Sequence, residues 1–327
     1  MEAEARSTSL RNELGFSLIE ALIAMLITLV VLAAAFGAFK SMADVNATSV
    51  RSMEVTQNLQ SSLTMIRRDL QRTGQGVPDV GISVPSGTTY TNNTIFGLEP
   101  GTNRISVMYM IDSGGDAGTT LQDNGGNGTR LIVNAADFAR IRNGDLIQLT
   151  NAAGTREITQ RVTELDPSIN GVLFQQTVTA GGTRINKEWT NPTISPFIGT
   201  TNISFIVYRR ITYSQVTIAG IPWLMRQVNE NEATRLTPGV SRFNLIYAAA
   251  PTTGGSLSTF TDLTDFDRFR DIRMVNIEMV CLSDEAITNG SCNYVSANNY
   301  TGACVQNGIN TDIAIRRYRN RFTSIPG

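Results

Sequence analysis

Glu20 is the residue whose setting most demands a chemical explanation. It is the sole ionisable side chain between Phe16 and Phe39, in a stretch that is otherwise almost wholly apolar. A carboxylate in a bilayer-length segment is expensive and is read as functional by default. The chemistry open to it is charge pairing. Catalysis finds no support elsewhere. The chain has no histidine, which removes imidazole acid–base chemistry and the commonest zinc ligand. No P-loop, nucleophile elbow or dinucleotide fingerprint occurs. A formal net charge of −1 gives no electrostatic case for nucleic acid. These observations predict a non-enzyme with no nucleic-acid contact.

Other polar groups invite weaker readings. Asp112, Asp116, Asp123, Asn124 and Asn127 share a glycine-rich stretch. Oxygen ligands of this kind suit calcium, but the spacing is not that of an EF-hand, so a polar loop without a cofactor is expected. Three cysteines, Cys281, Cys292 and Cys304, lie near the C-terminus. In an exported domain a disulfide is permitted, and sequence does not choose among the pairings. Cys292–Cys304 is the preferred candidate, because it would close an Asn-rich loop and leave Cys281 as a buried strand thiol. Trp189, Trp223, Tyr90 and Tyr300 are candidate contacts for an adhesive surface. The basic run Arg316–Arg321 reads as an edge strand protected by charge.

The element that must position Glu20 is a helix. Ala21 to Phe39 is a run of 19 residues in which only Thr28 is polar and only Gly37 is glycine. About 20 apolar residues rise roughly 30 Å as a helix, the thickness of a bilayer core. Lipid forces helix there, because it cannot satisfy unpaired backbone groups. A secretory signal would be shorter and would be followed by its cleavage site. An ordinary signal anchor accounts for the apolar run but not for Glu20. A buried helix of a soluble protein does not need so many apolar residues. Arg6 and Arg11 precede the span, with Lys40 just after it and Arg51 further on. That asymmetry favours the N-terminus inside and the C-terminus outside. No proline occurs before Pro78, and Gly74, Gly76 and Pro78 mark a stop. Helix is therefore expected over 16–73, about 85 Å long, with its transmembrane part at about 16–39. Its second half is amphipathic, with one apolar stripe facing a globular domain.

Gly15-Phe16 followed by Ser17-Leu18-Ile19-Glu20 and the apolar helix resembles the class III signal of type IV prepilins. The resemblance covers about the first 40 residues. It implies that a prepilin peptidase cuts after Gly15 and methylates Phe16, so that 1–15 is a leader and the helix stays in the mature protein. A new amino terminus at Phe16 would be a cation at the membrane edge. Glu20, one turn on, could neutralise the terminus of a neighbouring subunit and set the register between them, the best-attested use of a buried ion pair. The competing reading is an N-terminal acid that favours the helix dipole.

From Gly74 the composition turns to short runs rich in Ile, Val, Phe, Tyr and Thr, bounded by Gly, Pro, Asn or Asp. Strands are expected over 104–111, 130–133, 145–150, 156–163, 172–178, 203–210, 240–248, 272–281 and 313–318. The fold class is α+β, with a long N-terminal helix packed on a mostly antiparallel, β-rich domain over 74–327, pilin-like, with a β insertion near 130–180. Arg68-Asp69-Leu70 before Gly74, and Gly144-Asp145-Leu146-Ile147, resemble the large minor pilins of the PilW type. Those resemblances imply a structural subunit that inserts in the bacterial inner membrane with its C-terminal domain in the periplasm. It would then join other minor and major pilins to initiate or cap a type IV pilus at the cell surface. The implied partners are prepilin peptidase, those pilins and inner-membrane lipid. The alternatives are a minor pseudopilin of a type II secretion system and a pilus-tip adhesin.

Overall fold

The computed structural model describes residues 17–78, 81–86, 91–115, 118–124, 128–151, 157–175, 186, 197–229, 231–249, 256, 258–260, 271–282, 293–296, 299–301 and 306–314. The chain divides into two compact units, Met1–Arg51 and Ser52–Gly327.

The first unit is built on α1 (Leu18–Gln71), a helix of 54 residues whose C-terminal part continues into the second unit. It is long and apolar enough to cross a membrane, and it runs without interruption through Gly37. Every large apolar side chain from Leu18 to Phe39 is exposed. A helix whose apolar side chains are exposed on all sides calls for lipid or other helices.

The second unit is a set of antiparallel sheets that receives the end of α1. Val55, Leu59, Ile66 and Leu70 are buried, spaced so that one stripe of the helix faces the sheet. They pack with Ile105, Tyr213, Phe243, Val275 and Ile277 in the larger core. Each such side chain contributes about 1.5–3 kcal/mol on burial. The long helix followed by a mostly antiparallel β domain is the α+β, pilin-like class expected.

A seven-stranded sheet has Ser204–Ile218 as its spine. One edge of that strand pairs with Arg104–Gly114. The other edge changes partner part-way. Ser204 to Tyr208 pair with Leu146–Thr150, and Ile211 to Ile218 pair with Ile221–Val228. A four-stranded sheet carries Val240–Ala249 and Ile272–Leu282 at its centre, with Gln306–Ala314 beside the latter. In Ile272–Leu282, Val275, Ile277, Met279 and Cys281 are buried while Asn276 and Glu278 are not, as the period-2 alternation requires. A second four-stranded sheet is formed within 120–175. Its core gathers Leu121, Leu131, Val172 and Phe174 with Ile147 and Phe205 of the large sheet.

Some strands go beyond those expected. Strand is observed at Gln306–Ala314, so it begins upstream of the expected 313–318, of which 315–318 lie outside the described residues; Gln306-Asn307-Gly308 lacks the β-branched residues that mark a strand, and pairing to Ile272–Leu282 overrides that weak local preference. The strand Ile221–Val228 lies outside the expected runs and carries Pro222, a residue that sheets seldom hold. It forms through a two-residue turn in which Ala219 and Gly220 both take positive φ, 50° and 82°. That is the geometry a tight hairpin needs.

Candidate functional site

The head of α1 is organised by Ser17. Its Oγ accepts from the Ile19 N–H at 3.2 Å. Its carbonyl accepts from the N–H groups of Glu20 and Ala21 at 3.0 and 3.1 Å. Ser17 is therefore the N-cap, satisfying donors that a helix start leaves orphaned. The sequence signal was available, since Ser-x-x-Glu over Ser17–Glu20 is the pattern of a capping box.

Glu20 occupies the first turn of α1. Its side chain is exposed. Among the described residues its carboxylate meets no hydrogen-bond or ion-pair partner. Thr28 behaves differently: its hydroxyl donates to the Ala24 carbonyl at 2.7 Å, so the other polar group of the apolar run is satisfied within the helix. Among the described residues of the span, Glu20 is thus the polar side chain without a partner.

The C-terminal end of α1 is fixed by polar contacts as well as by its stripe. Asp69 is buried and accepts from the Tyr213 hydroxyl at 2.6 Å and from the Arg226 Nη2 at 3.4 Å. Arg226 Nε donates to the same Tyr213 oxygen at 3.2 Å. Burial, reinforced by the Asp69 charge, pushes the Tyr213 hydroxyl well above the ordinary phenol range, so it stays protonated and acts as a donor. Ser62 and Thr237 hydrogen-bond through their hydroxyls two turns earlier. Arg72 lies over the Tyr109 ring, 5.8 Å from its centroid.

The second motif residue, Asp145, is wholly buried. Arg209 grips it with two bonds, Nε to Oδ1 at 2.9 Å and Nη2 to Oδ2 at 2.7 Å. Asn229 Nδ2 donates to Oδ1 at 2.8 Å and the Arg142 N–H to Oδ2 at 2.8 Å. This cluster sits where the spine strand changes partner. Arg210 has a backbone partner there only because Asn229 donates to its carbonyl at 2.6 Å and accepts from its N–H at 3.0 Å. Gly144 must be glycine: its φ is +82° and an added Cβ would lie 2.8 Å from Asn229 Cβ. Asp69 and Asp145 thus tie the spine sheet to α1 and to the second core.

The remaining candidates are scattered. Gly15, Phe16, Cys292 and Cys304 lie outside the described residues, as do Asp116, Asn127, Trp189, Tyr90 and Arg316–Arg321. Cys281 is a buried thiol with Sγ 3.2 Å from the Pro238 carbonyl. Asp112 is paired with Arg140 at 2.7 Å. No group of three His, Cys, Asp or Glu side chains gathers among the described residues. Trp223 is covered by the Arg235 guanidinium, 5.4 Å from the ring centroid.

Comparison with known proteins bears on the head of α1. The chain matches the family model described as "Prokaryotic N-terminal methylation motif" over residues 10–36, a span that includes Gly15, Phe16, Ser17 and Glu20. No curated protein and no solved structure matches the chain. The motif, with the apolar helix behind it, supports a type IV prepilin-like protein. It supports a pilin-like or pseudopilin-like substrate of prepilin peptidase that assembles with other pilins. A motif of this kind is typical of structural, non-catalytic subunits, and with the apolar helix it fits a membrane-anchored protein.

Proposed function

We propose that this prepilin-like chain is a minor pilin that helps to initiate or cap a type IV pilus. It inserts in the inner membrane with its N-terminus inside and its C-terminal domain in the periplasm. Prepilin peptidase removes residues 1–15, cutting after Gly15, and methylates Phe16. The mature helix then joins other minor and major pilins. The observation that carries this reading is Glu20: a carboxylate with no partner among the described residues, at the head of a helix whose large apolar side chains are exposed. A carboxylate in that setting is stable only with a cation beside it, and the neighbouring subunit's amino terminus is that cation. A unit as large as Ser52–Gly327 repeats poorly along a thin, densely packed fibre, so a tip or initiation position is preferred.

The test is Glu20→Val. Processing should be intact, because the substitution leaves the residues on either side of the cut unchanged. Breaking a buried charge pair costs about 3–5 kcal/mol, so incorporation into sheared pili should drop at least about tenfold. Equal recovery of variant and wild type would overturn the assignment. The same motif also fits a minor pseudopilin of a type II secretion system. Deletion separates the two: loss of pili with secretion intact supports the pilus, and the reverse supports the pseudopilus.

A further inference from the structure

The seven-stranded sheet has a second face, opposite the one that receives α1. Along Ser204–Ile218, Ile211 and Tyr213 are buried in the larger core with the stripe of α1. Toward the end of the strand the alternation inverts. Polar Gln215 and Thr217 fall on the side of Tyr213, and Val216 and Ile218 fall on the opposite side. Cross-strand partners share a face, so the register carries this inversion across the sheet. Arg104, Ser214, Met225 and Arg235 form one row over four strands. Val216, Trp223 and Pro238 form the next, and Ile218 faces Ile221 beyond it. Val216 is 42% exposed. A solvated sheet face keeps polar residues outward; here aliphatic side chains and a tryptophan occupy those positions.

Two cations frame that surface. Arg104 and Arg235 are exposed at opposite ends of their row, three strand spacings or about 14 Å apart. Among the described residues neither has an acidic partner; Glu99, on the same face, is held by Arg210. The Arg235 guanidinium lies over the Trp223 ring, 5.4 Å from its centroid. Its position is therefore set before anything binds, and little rotamer freedom is left to lose. Trp, Met and Arg are the residue types enriched in protein–protein interfaces. The stacked guanidinium occupies a ring face that a sugar would need. Two cations are too few for an anionic membrane, which draws clusters of about four to eight. The edge strand Thr234–Pro238 carries a bulge and Pro238, which guard it against strand addition, so a partner approaches over the face.

We propose that this face docks a different protein through an acidic surface of that protein. The partner presents carboxylates roughly 14 Å apart, one to Arg104 and one to Arg235, and sets an apolar side chain between them against Trp223 and Val216. Charge complementarity orients the partner, and burial of the apolar strip holds it. The face lies within Ser52–Gly327 and is independent of how the head of α1 is processed.

The experiment places the photo-crosslinker p-benzoylphenylalanine at Val216 or at Ile221 of the full chain in its native host, with adducts identified by mass spectrometry. A protein adduct is expected, at a peptide whose acidic residues flank an apolar one. Arg104→Glu and Arg235→Glu should each lower its yield about tenfold or more, and Arg104→Gln and Arg235→Gln about threefold. Arg67→Glu, an exposed reversal on α1 across the sheet from this face, should leave the yield unchanged. Thermal midpoints within about 2 °C of wild type, as expected at exposed positions, separate lost docking from lost folding. Compensation is decisive: replacing the identified partner's acids with arginine should restore the adduct to the chain carrying both glutamates. An adduct with phospholipid, an adduct with another copy of this chain, or none from either site would overturn the proposal. So would a yield insensitive to both reversals, an equal loss in Arg67→Glu, or no recovery in the compensated pair.

Discussion

Replacing Asp145 with alanine should unfold the β unit at a markedly lower temperature. The carboxylate accepts four hydrogen bonds, two from Arg209 at 2.9 and 2.7 Å, one from Asn229 at 2.8 Å and one from the Arg142 N–H at 2.8 Å. Its side chain is fully buried and that of Arg209 is 11% exposed. Alanine would leave the Arg209 guanidinium with the Arg140 carbonyl, 3.0 Å away, as its remaining partner among the described residues. Breaking a buried pair in this way costs about 3–5 kcal/mol. The position magnifies the effect, because Asn229 also supplies the backbone bonds of Arg210 where the spine strand changes partner. For domains of this size about 1 kcal/mol moves the midpoint by roughly 2–4 °C, so a fall of about 6–20 °C follows. Asp145→Asn, which keeps the shape but loses the charge, should fall about half as far. The assay is thermal unfolding of the full chain in detergent, followed by near-ultraviolet circular dichroism at neutral pH. A midpoint shift of less than about 2 °C for Asp145→Ala would refute the reasoning. Recovery by a second change, Arg209→Met, would identify the unpaired guanidinium as the source of the cost.

Three further outcomes are expected. Gly239→Ala should destabilise by more than about 2 kcal/mol, because φ is +75° and the new Cβ would lie 2.1 Å from the Leu282 carbonyl oxygen; chemical denaturation reads this directly. Gly37→Ala, by contrast, should be neutral or slightly stabilising to α1, since nothing lies within 4 Å of an added Cβ, and helicity by circular dichroism is the check. Glu278 is held below its ordinary 4.5 by its hydrogen bond to Arg242, so its contribution is full above pH 4.5 and is lost as pH falls through the lowered folded-state value. The stability difference between wild type and Glu278→Gln should therefore be present at neutral pH and vanish in acid, with denaturation curves against pH as the measurement.

Much of this architecture is legible in the sequence because it rests on periodicity. The apolar run to Phe39 has one outcome in lipid, and the alternation from Val275 to Cys281 places one face inward. The Gly144 turn is signalled by its Asn-Gly-Asp triplet. What escapes is what periodicity does not encode. Arg209 and Arg210 look like solvated charges in a strand, yet one grips a buried carboxylate and the other is held through its backbone by an asparagine. Asp69, set among arginines, also looks solvated, and only the third dimension brings Tyr213 and Arg226 to it. The turn at Ala219-Gly220 is missed for a different reason: alanine at positive φ is unusual and carries no local signal. At the head of α1 the reverse happened. The Ser17–Glu20 spacing encodes the cap directly, and the Ser17 hydroxyl accepts from the Ile19 N–H.

Intact mass and N-terminal peptide analysis of the protein purified from its native membrane decides whether α1 heads a processed pilin-type subunit. A mature chain that begins at methylated Phe16 and retains Glu20 and the whole apolar helix is expected. An uncut Met1, or a cut beyond Phe39, would contradict it and would leave Glu20 without an amino terminus to neutralise.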